Sequence, residues 1–287
     1  MDKLLYLTYI MTNSIIYFII KYISKGIFLG TSPIEIMAYM NIISLASILP
    51  FFYKKFRNIA QGFKKHSSLV ISIPSSLVKL YCISVIPVKN VIIATFSIPL
   101  MTVIMSFIFL GEFRKSEMTK YISVLLGFLG VIVFVNIENI SLNSSIYLLL
   151  LIHISIHALT NVIFKKISSD PYITLFFNAF FYCIFSAIVL LYYGKFDTAI
   201  LFSWQIISLA IVSIFCQLCW ITGIKITKRI SLLQNLEFSK IIFASLFGVW
   251  FFNESITFNN TIGGIIIVSS ILISNLKEIK SIFTRNR

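Results

Sequence analysis

Long apolar runs separated by short polar connections dominate the pattern of this chain. A helix needs about 20 predominantly apolar residues to cross the hydrocarbon core of a membrane. Ten runs approach that length, and they cover 4–23, 34–53, 69–87, 91–110, 119–137, 146–164, 172–193, 202–223, 231–252 and 258–276. The pattern therefore predicts an all-α, polytopic membrane protein with ten transmembrane helices. No connection is long enough to hold a domain, so we expect any function to lie within the helix bundle or at its two mouths.

The composition excludes other classes of protein. Of the 287 residues, 58% are hydrophobic and 12% are charged, whereas a soluble domain is about 45–50% apolar and about 25% charged. The chain has too little charge to cover a large soluble enzyme and too much apolar surface to be disordered. The first run lacks the small-residue cleavage site of a signal peptide, which predicts a retained first span.

The basic residues predict the orientation. The net charge is +14, and most Lys and Arg residues fall on alternate connections and at the two termini. Clusters lie at 54–65, 114–120, 165–166, 225–229 and 277–287, and the opposite connections carry Lys25, Lys89 and Lys195. Short cytoplasmic loops collect Lys and Arg, so we expect both termini in the cytoplasm. This rule explains the net charge without a nucleic-acid partner, and we expect none.

The two halves of the chain resemble each other. Residues 21–24 are similar to 165–168, and 109–112 are similar to 251–254. A nearly constant separation indicates duplication of a five-span unit, with one copy at 1–140 and the other at 141–287. Because five is odd, the second copy must be inverted. Inverted repeats are a common transporter design, with the substrate near the midplane between the copies.

The segments that carry this repeat resemble the EamA-type drug/metabolite transporter family. The first copy has Ala-Thr-Phe-Ser-Ile-Pro-Leu at 94–100, Phe-Leu-Gly-Glu at 109–112 and Gly-Phe-Leu-Gly at 127–130. The second copy is similar at 236–240, 252–254 and 263–264. The resemblance implies a multi-pass secondary transporter of the bacterial cell inner membrane. The Ser-Ile-Pro-Leu and Asn-Glu segments look most like S-adenosylmethionine uptake carriers of intracellular bacteria, which implies S-adenosylmethionine or amino-acid transport.

Three ionisable residues lie well inside predicted spans, where each charge costs about 2.5–3.5 kcal/mol on insertion scales and suggests a function. Lys79 is midway along the third span, and we interpret it as a cationic anchor for a carboxylate or phosphate, against a structural ion pair or a snorkelling side chain. Glu237 and Lys240 are three residues apart and share a helix face. They form either an internal ion pair or a substrate site for a zwitterion, and the sequence leaves both open.

Polar side chains in other spans are candidates to line the site. His153 and His157 are four residues apart on one face of the sixth span. A metal site needs a third ligand, so lining a polar cavity or pairing with Asn161 is the better interpretation, and a proton relay remains open. Asn13 and Tyr17 lie in the first span, where Tyr17 could stack on a flat or cationic ligand. The predicted substrate-binding residues are Lys79, Glu237, Lys240, His157, Asn13 and Tyr17.

Several features are interpreted as structural. Cys216 and Cys219 form a C-x-x-C pair that we expect to be buried and apolar rather than redox-active. Pro99 predicts a bend in the fourth span. Glu112 and Glu254 end equivalent spans, and we expect a structural role in the repeat. Glycines in the fifth and tenth spans predict close helix packing; they are Gly127, Gly130, Gly263 and Gly264.

The function expected from the sequence is transport of a small polar metabolite by alternating access. The chain has no nucleotide-binding or hydrolase motif, so we expect no enzyme activity, catalytic residue, metal or cofactor. Its partners would be the substrate, the lipid bilayer, and a coupling ion or an exchanged metabolite. Two alternatives are a lipid flippase or lipid-modifying membrane enzyme, and a structural or signalling membrane subunit.

Overall fold

The computed structural model describes residues 3–12, 33–52, 59–85, 91, 94–135, 144–167, 169–193, 197–252 and 255–285. Within these residues the chain is all-helical and contains no β-strand. The helices are α1 (3–12), α2 (Pro33–Phe52), α3 (Ile59–His66), α4 (Ser72–Val85), α5 (Ile98–Leu110), α6 (Met118–Val135), α7 (Ser144–Lys166), α8 (Pro171–Tyr193), α9 (Trp204–Ile226), α10 (Ser239–Phe252) and α11 (Phe258–Arg285), with a single helical turn at Thr198–Leu201. The predicted all-α class is confirmed.

Five helical segments are long and apolar enough to cross a membrane. They are Lys115–Phe134, Leu148–Lys166, Pro171–Tyr192, Trp204–Ile226 and Phe258–Asn275. Two shorter apolar helices cover Glu35–Pro50 and Ile98–Leu110. All seven coincide with predicted apolar runs, so the chain is a multi-pass membrane protein.

Helix α6 shows why a membrane helix is apolar on all sides. Its inner face buries Val124 and Val131, at 2% and 0% exposure, in a cluster with α10 and α11. Its outer face leaves Ile122, Leu125 and Leu129 more than half exposed. In water such a stripe of large apolar side chains would be costly. In a bilayer it faces lipid tails, which are as apolar as leucine.

The described chain forms two compact units, and each takes segments from both halves of the sequence. The first contains Met1–Ile73 and Ile163–Ile226. In it α2 packs against α8 and α9, and Asn41 of α2 donates to the Ser186 hydroxyl of α8 at 3.0 Å. The second contains Pro74–Val162 and Thr227–Arg287, and α6 packs along α11 at its centre. The duplication at residue 140 stays a prediction.

The ninth predicted span does not begin as an α-helix, which corrects the continuous helix expected over 231–252. Two 3₁₀ segments, Ile230–Leu232 and Gln234–Phe238, precede α10. The Asn235 amide of this segment donates to the Ser270 carbonyl oxygen at 2.7 Å. The Ser270 hydroxyl donates to the Ile267 carbonyl oxygen at 2.7 Å and lies 3.3 Å from Oδ1 of Asn235. The fourth span is also interrupted, by a turn at 96–97, and Pro99 lies in the first turn of α5.

Candidate functional site

Ser75 and His153 join α4 to α7 inside the second unit. The Ser75 hydroxyl oxygen lies 2.7 Å from Nδ1 of His153, and the Ser75 carbonyl oxygen lies 2.9 Å from the same nitrogen. The Ser75 hydroxyl also donates to the His153 carbonyl oxygen at 3.2 Å. Cys82 lies near the C-terminal end of α4. It packs in a buried cluster with Ile146, near the start of α7. Because the later residue of α4 contacts the earlier residue of α7, the two helices are antiparallel.

The Ser75–His153 contact also defines the face of α4 on which Lys79 lies. Lys79 follows Ser75 by four residues and therefore lies on the same face of α4. Its positive charge acts on the rings of both His153 and His157. The two ring centroids are 5.9 Å apart. The half-buried lysine and the two histidines thus form one cluster.

The second pair of charges lies where the 3₁₀ segment meets α10. Glu237 and Lys240 form an ion pair, and the 3₁₀ geometry favours it because side chains three residues apart eclipse each other there. The side chains of Glu237 and Lys240 are 13% and 23% exposed, so the pair is largely buried. The charge of Lys240 also acts on His157. His157 therefore connects this pair to Lys79.

Four of the six predicted substrate-binding residues interact electrostatically: Glu237 pairs with Lys240, and the charges of Lys79 and Lys240 both act on His157. The other two, Asn13 and Tyr17, lie outside the described residues, as does Glu254. Asn161, the expected partner of the histidines, donates to the Thr102 hydroxyl of α5 at 3.2 Å. Within the described residues no group of His, Cys, Asp and Glu could hold a metal ion.

The Cys216 and Cys219 side chains are buried in α9, at 3% and 4% exposure. Cys216 donates a weak hydrogen bond to the Tyr9 carbonyl oxygen at 3.6 Å. The Tyr9 ring stacks on Trp220 with centroids 5.7 Å apart, and Trp220 meets Phe164 edge-on at 4.8 Å. These contacts account for the apolar setting expected for the two thiols.

A polar cluster that the sequence analysis missed ties the end of α3 to α8 and α9. His66, at 1% exposure, donates from Nδ1 to the Gly62 carbonyl oxygen at 2.7 Å, and its Nε2 lies 3.0 Å from the Ser169 hydroxyl. Lys225 donates to the Ser169 carbonyl oxygen at 2.8 Å and to the Thr174 hydroxyl. The sequence carries only a weak signal for this cluster, since His66 is 103 residues away from Ser169 in the chain.

We expect His66 to make the protein less stable in acid. Burial lowers the pKa of His66, and the positive charges of Lys225 and Lys65 lower it further, against the opposing effect of the Gly62 hydrogen bond. The folded form therefore binds a proton less readily than the unfolded chain, whose histidine titrates at about 6.5. Stability should fall as the pH drops below that value.

The melting temperature of the detergent-solubilised protein between pH 8 and pH 5 measures this effect. Wild type should lose more stability on acidification than the His66→Gln variant, because the remaining histidines are common to both proteins. Identical pH profiles would show that His66 keeps the same proton affinity in the folded and unfolded chains.

Comparisons with known proteins agree with the helical fold. The model of the EamA-like transporter family matches residues 144–276. A solved structure described as "Crystal structure of protein" superposes with a TM-score of 0.78 and 14% sequence identity, covering 96% of this chain and 97% of that chain. At this identity the likeness shows the fold alone. No curated protein matches the chain.

Proposed function

Because the chain carries an EamA-like transporter family domain at residues 144–276, we propose that it is a secondary transporter that moves a small polar metabolite across the bacterial inner membrane by alternating access. The family is one of membrane transporters, and the apolar helices make the chain a multi-pass membrane protein. The finer points of the proposal are the ten spans, the inverted repeat, the cytoplasmic termini and the substrate.

Two features support ten spans in two inverted five-helix repeats. A described helix overlaps each of the ten predicted apolar runs. Each compact unit contains residues from both sides of position 140. In transporters built from inverted repeats, alternating access is largely the rocking or gating of one bundle against the other.

The cluster of Lys79, Glu237, Lys240 and His157 carries the proposal. Charged side chains in a membrane-spanning bundle are costly and mark substrate or ion pathways. The ammonium of Lys79 suits a carboxylate, and the partly accessible Glu237–Lys240 pair suits both ends of a zwitterion. S-adenosylmethionine and amino acids share such a head group. We propose Asn13 and Tyr17 as further lining residues, with an ion gradient or metabolite exchange as the energy source.

Replacement of Glu237 by glutamine should slow transport. The variant keeps the size of the side chain but leaves Lys240 without its ionic partner, next to the charge that already acts on His157. Since both side chains are partly exposed, we expect a moderate effect, a roughly tenfold loss of uptake, equivalent to about 1.4 kcal/mol. Uptake of labelled S-adenosylmethionine and of labelled amino acids into membrane vesicles measures it.

The matched control is Glu117→Gln, which removes a carboxylate at the start of α6, outside the charge cluster. This variant should transport at the wild-type rate. If Glu237→Gln carries substrate normally at every pH tested, the pairing of Glu237 with substrate charge is wrong.

A further inference from the structure

The ring of His153 is fixed in one orientation by Ser75. The Ser75 carbonyl oxygen, 2.9 Å from Nδ1, can only accept a hydrogen bond, so Nδ1 must carry the proton. The Ser75 hydroxyl, 2.7 Å from Nδ1, then accepts from the same N–H, and its own hydrogen points to the His153 carbonyl oxygen at 3.2 Å. This assignment satisfies all three contacts at once. It leaves Nε2 without a hydrogen, as an acceptor.

That acceptor is buried, and the described part of the chain offers it no donor. His153 is 3% exposed, and within the described residues no atom makes a hydrogen bond to its Nε2. Buried polar atoms are seldom left unpaired, because the lost bond to water is not replaced. The ring is therefore prepared to accept a hydrogen bond from a group that enters the site.

Lys79 limits what that group can be. Its positive charge acts on the His153 ring, so a cationic group at Nε2 must bring negative charge to Lys79 with it. A bare metal ion does not, and no group of His, Cys, Asp and Glu in the described chain could hold one. A ligand that brings negative charge to Lys79 and an N–H or O–H to Nε2 satisfies both side chains. The simplest small molecules with both groups on neighbouring atoms are α-amino and α-hydroxy acids.

We propose that His153 contacts the transported substrate and selects α-amino or α-hydroxy acids, accepting a hydrogen bond at Nε2 from the group beside the carboxylate while Lys79 holds the carboxylate. This inference rests on the proposed function and adds a specificity-determining residue to it. A carboxylic acid that lacks the α-donor leaves Nε2 unpaired and should bind more weakly. Sites that bond a substrate N–H or O–H reject the analogue without it strongly.

Nitrogen NMR of protein labelled with ¹⁵N-histidine tests the ring directly. The chain has three histidines, so the variants His66→Gln and His157→Gln assign the spectrum. We expect the His153 signals to show a protonated Nδ1 and an unprotonated Nε2. A protonated Nε2 would overturn the inference, whatever the protein transports.

Ligand selectivity tests the contact. The probes are the protein α-amino acids and S-adenosylmethionine, each scanned singly for a rise in melting temperature. For each binder the α-hydroxy analogue and the analogue with no α-substituent are then compared. We expect the binder and its α-hydroxy analogue to shift the His153 Nε2 signal. The analogue with no α-substituent should bind at least tenfold more weakly. His153→Ala should lose this discrimination, whereas His66→Gln should keep it.

The outcomes separate this inference from the proposed function. Uptake of a probe into vesicles without discrimination at the α-position, or binding that leaves the Nε2 signal unmoved, overturns the role of His153 and leaves the transporter proposal standing. A panel in which no probe binds or is transported overturns both the substrate class and the role of His153.

Discussion

Replacement of Glu112 by alanine is expected to destabilise the protein more than the loss of a surface carboxylate. Glu112 is 7% exposed and lies just after α5. Its carboxylate accepts hydrogen bonds from the backbone N–H groups of Ile230 and Ser231, at 2.9 and 3.0 Å, and from the Ser231 hydroxyl at 2.8 Å. It thus caps the 3₁₀ segment that leads into α10, where backbone donors have no partner in the helix itself.

The size of the effect follows from the donors that would be left behind. Each buried donor without a partner costs about 1–3 kcal/mol, so two orphaned backbone N–H groups predict a loss of roughly 2–6 kcal/mol. The stability of Glu112→Gln should fall between those of Glu112→Ala and wild type. Its amide oxygen can still accept a hydrogen bond from Ile230, whereas its amide nitrogen is a donor and cannot accept one from the N–H of Ser231. Thermal unfolding of the detergent-solubilised protein measures the series.

The matched control lies five residues along the chain. Glu117 pairs with Arg229, and their side chains are 20% and 17% exposed. Such pairs near the surface are worth about 0–1 kcal/mol, so Glu117→Gln should change the melting temperature little. Equal losses for the two carboxylates would mean that the cap at Ile230 and Ser231 is not what stabilises this end of the protein.

Glu112 also shows what the sequence could and could not predict. Its place at the end of a repeated segment indicated a structural part, and the structure agrees. Its partners lie more than a hundred residues away in sequence, and nothing in the residues 230–231 marks them as donors to a carboxylate. Hydrogen bonds of this kind depend on how distant helices pack, which hydropathy and spacing do not contain.

The helices themselves were largely predictable, because a bilayer imposes both length and apolar character on a span. The prediction was wrong at 231–238, where the run is apolar enough for a helix but the backbone takes the tighter 3₁₀ form. In this segment the Asn235 amide donates a hydrogen bond to the Ser270 carbonyl oxygen of α11. A hydropathy pattern counts such side chains as mildly polar and carries no information about their partners.

The candidate site was predictable in part. The cost of charge in a span singled out Lys79, Glu237 and Lys240, and helix spacing placed His153 beside His157. The sequence gives no reason why Lys79 should lie near His153, since Ser75, which sets that contact, is an ordinary small residue in an apolar run. The acceptor state of His153 follows only from the positions of the two Ser75 oxygens.

Replacement of Gly263 by alanine is expected to disrupt the contact between α6 and α11. A Cβ atom on Gly263 would lie 2.4 Å from the backbone nitrogen of Phe134 and 2.5 Å from its Cα. These are backbone atoms of a neighbouring helix, so a rotamer change cannot relieve the overlap and the helices must separate. Forcing extra atoms into a packed interior typically costs 1–3 kcal/mol, and we expect about that value or more.

The neighbouring glycine supplies the control for this variant. A Cβ on Gly264 would have its nearest contact with the Phe134 ring, at 3.7 Å, which is an ordinary van der Waals distance. Alanine is also a better helix former than glycine by about 1 kcal/mol, so Gly264→Ala should be neutral or slightly stabilising. Thermal unfolding in detergent compares the two variants under the same conditions. The new methyl group would face the backbone of Phe134 directly, so no side chain can move to make room for it. If Gly263→Ala unfolds at the wild-type temperature, α6 and α11 therefore do not approach as closely as these distances require.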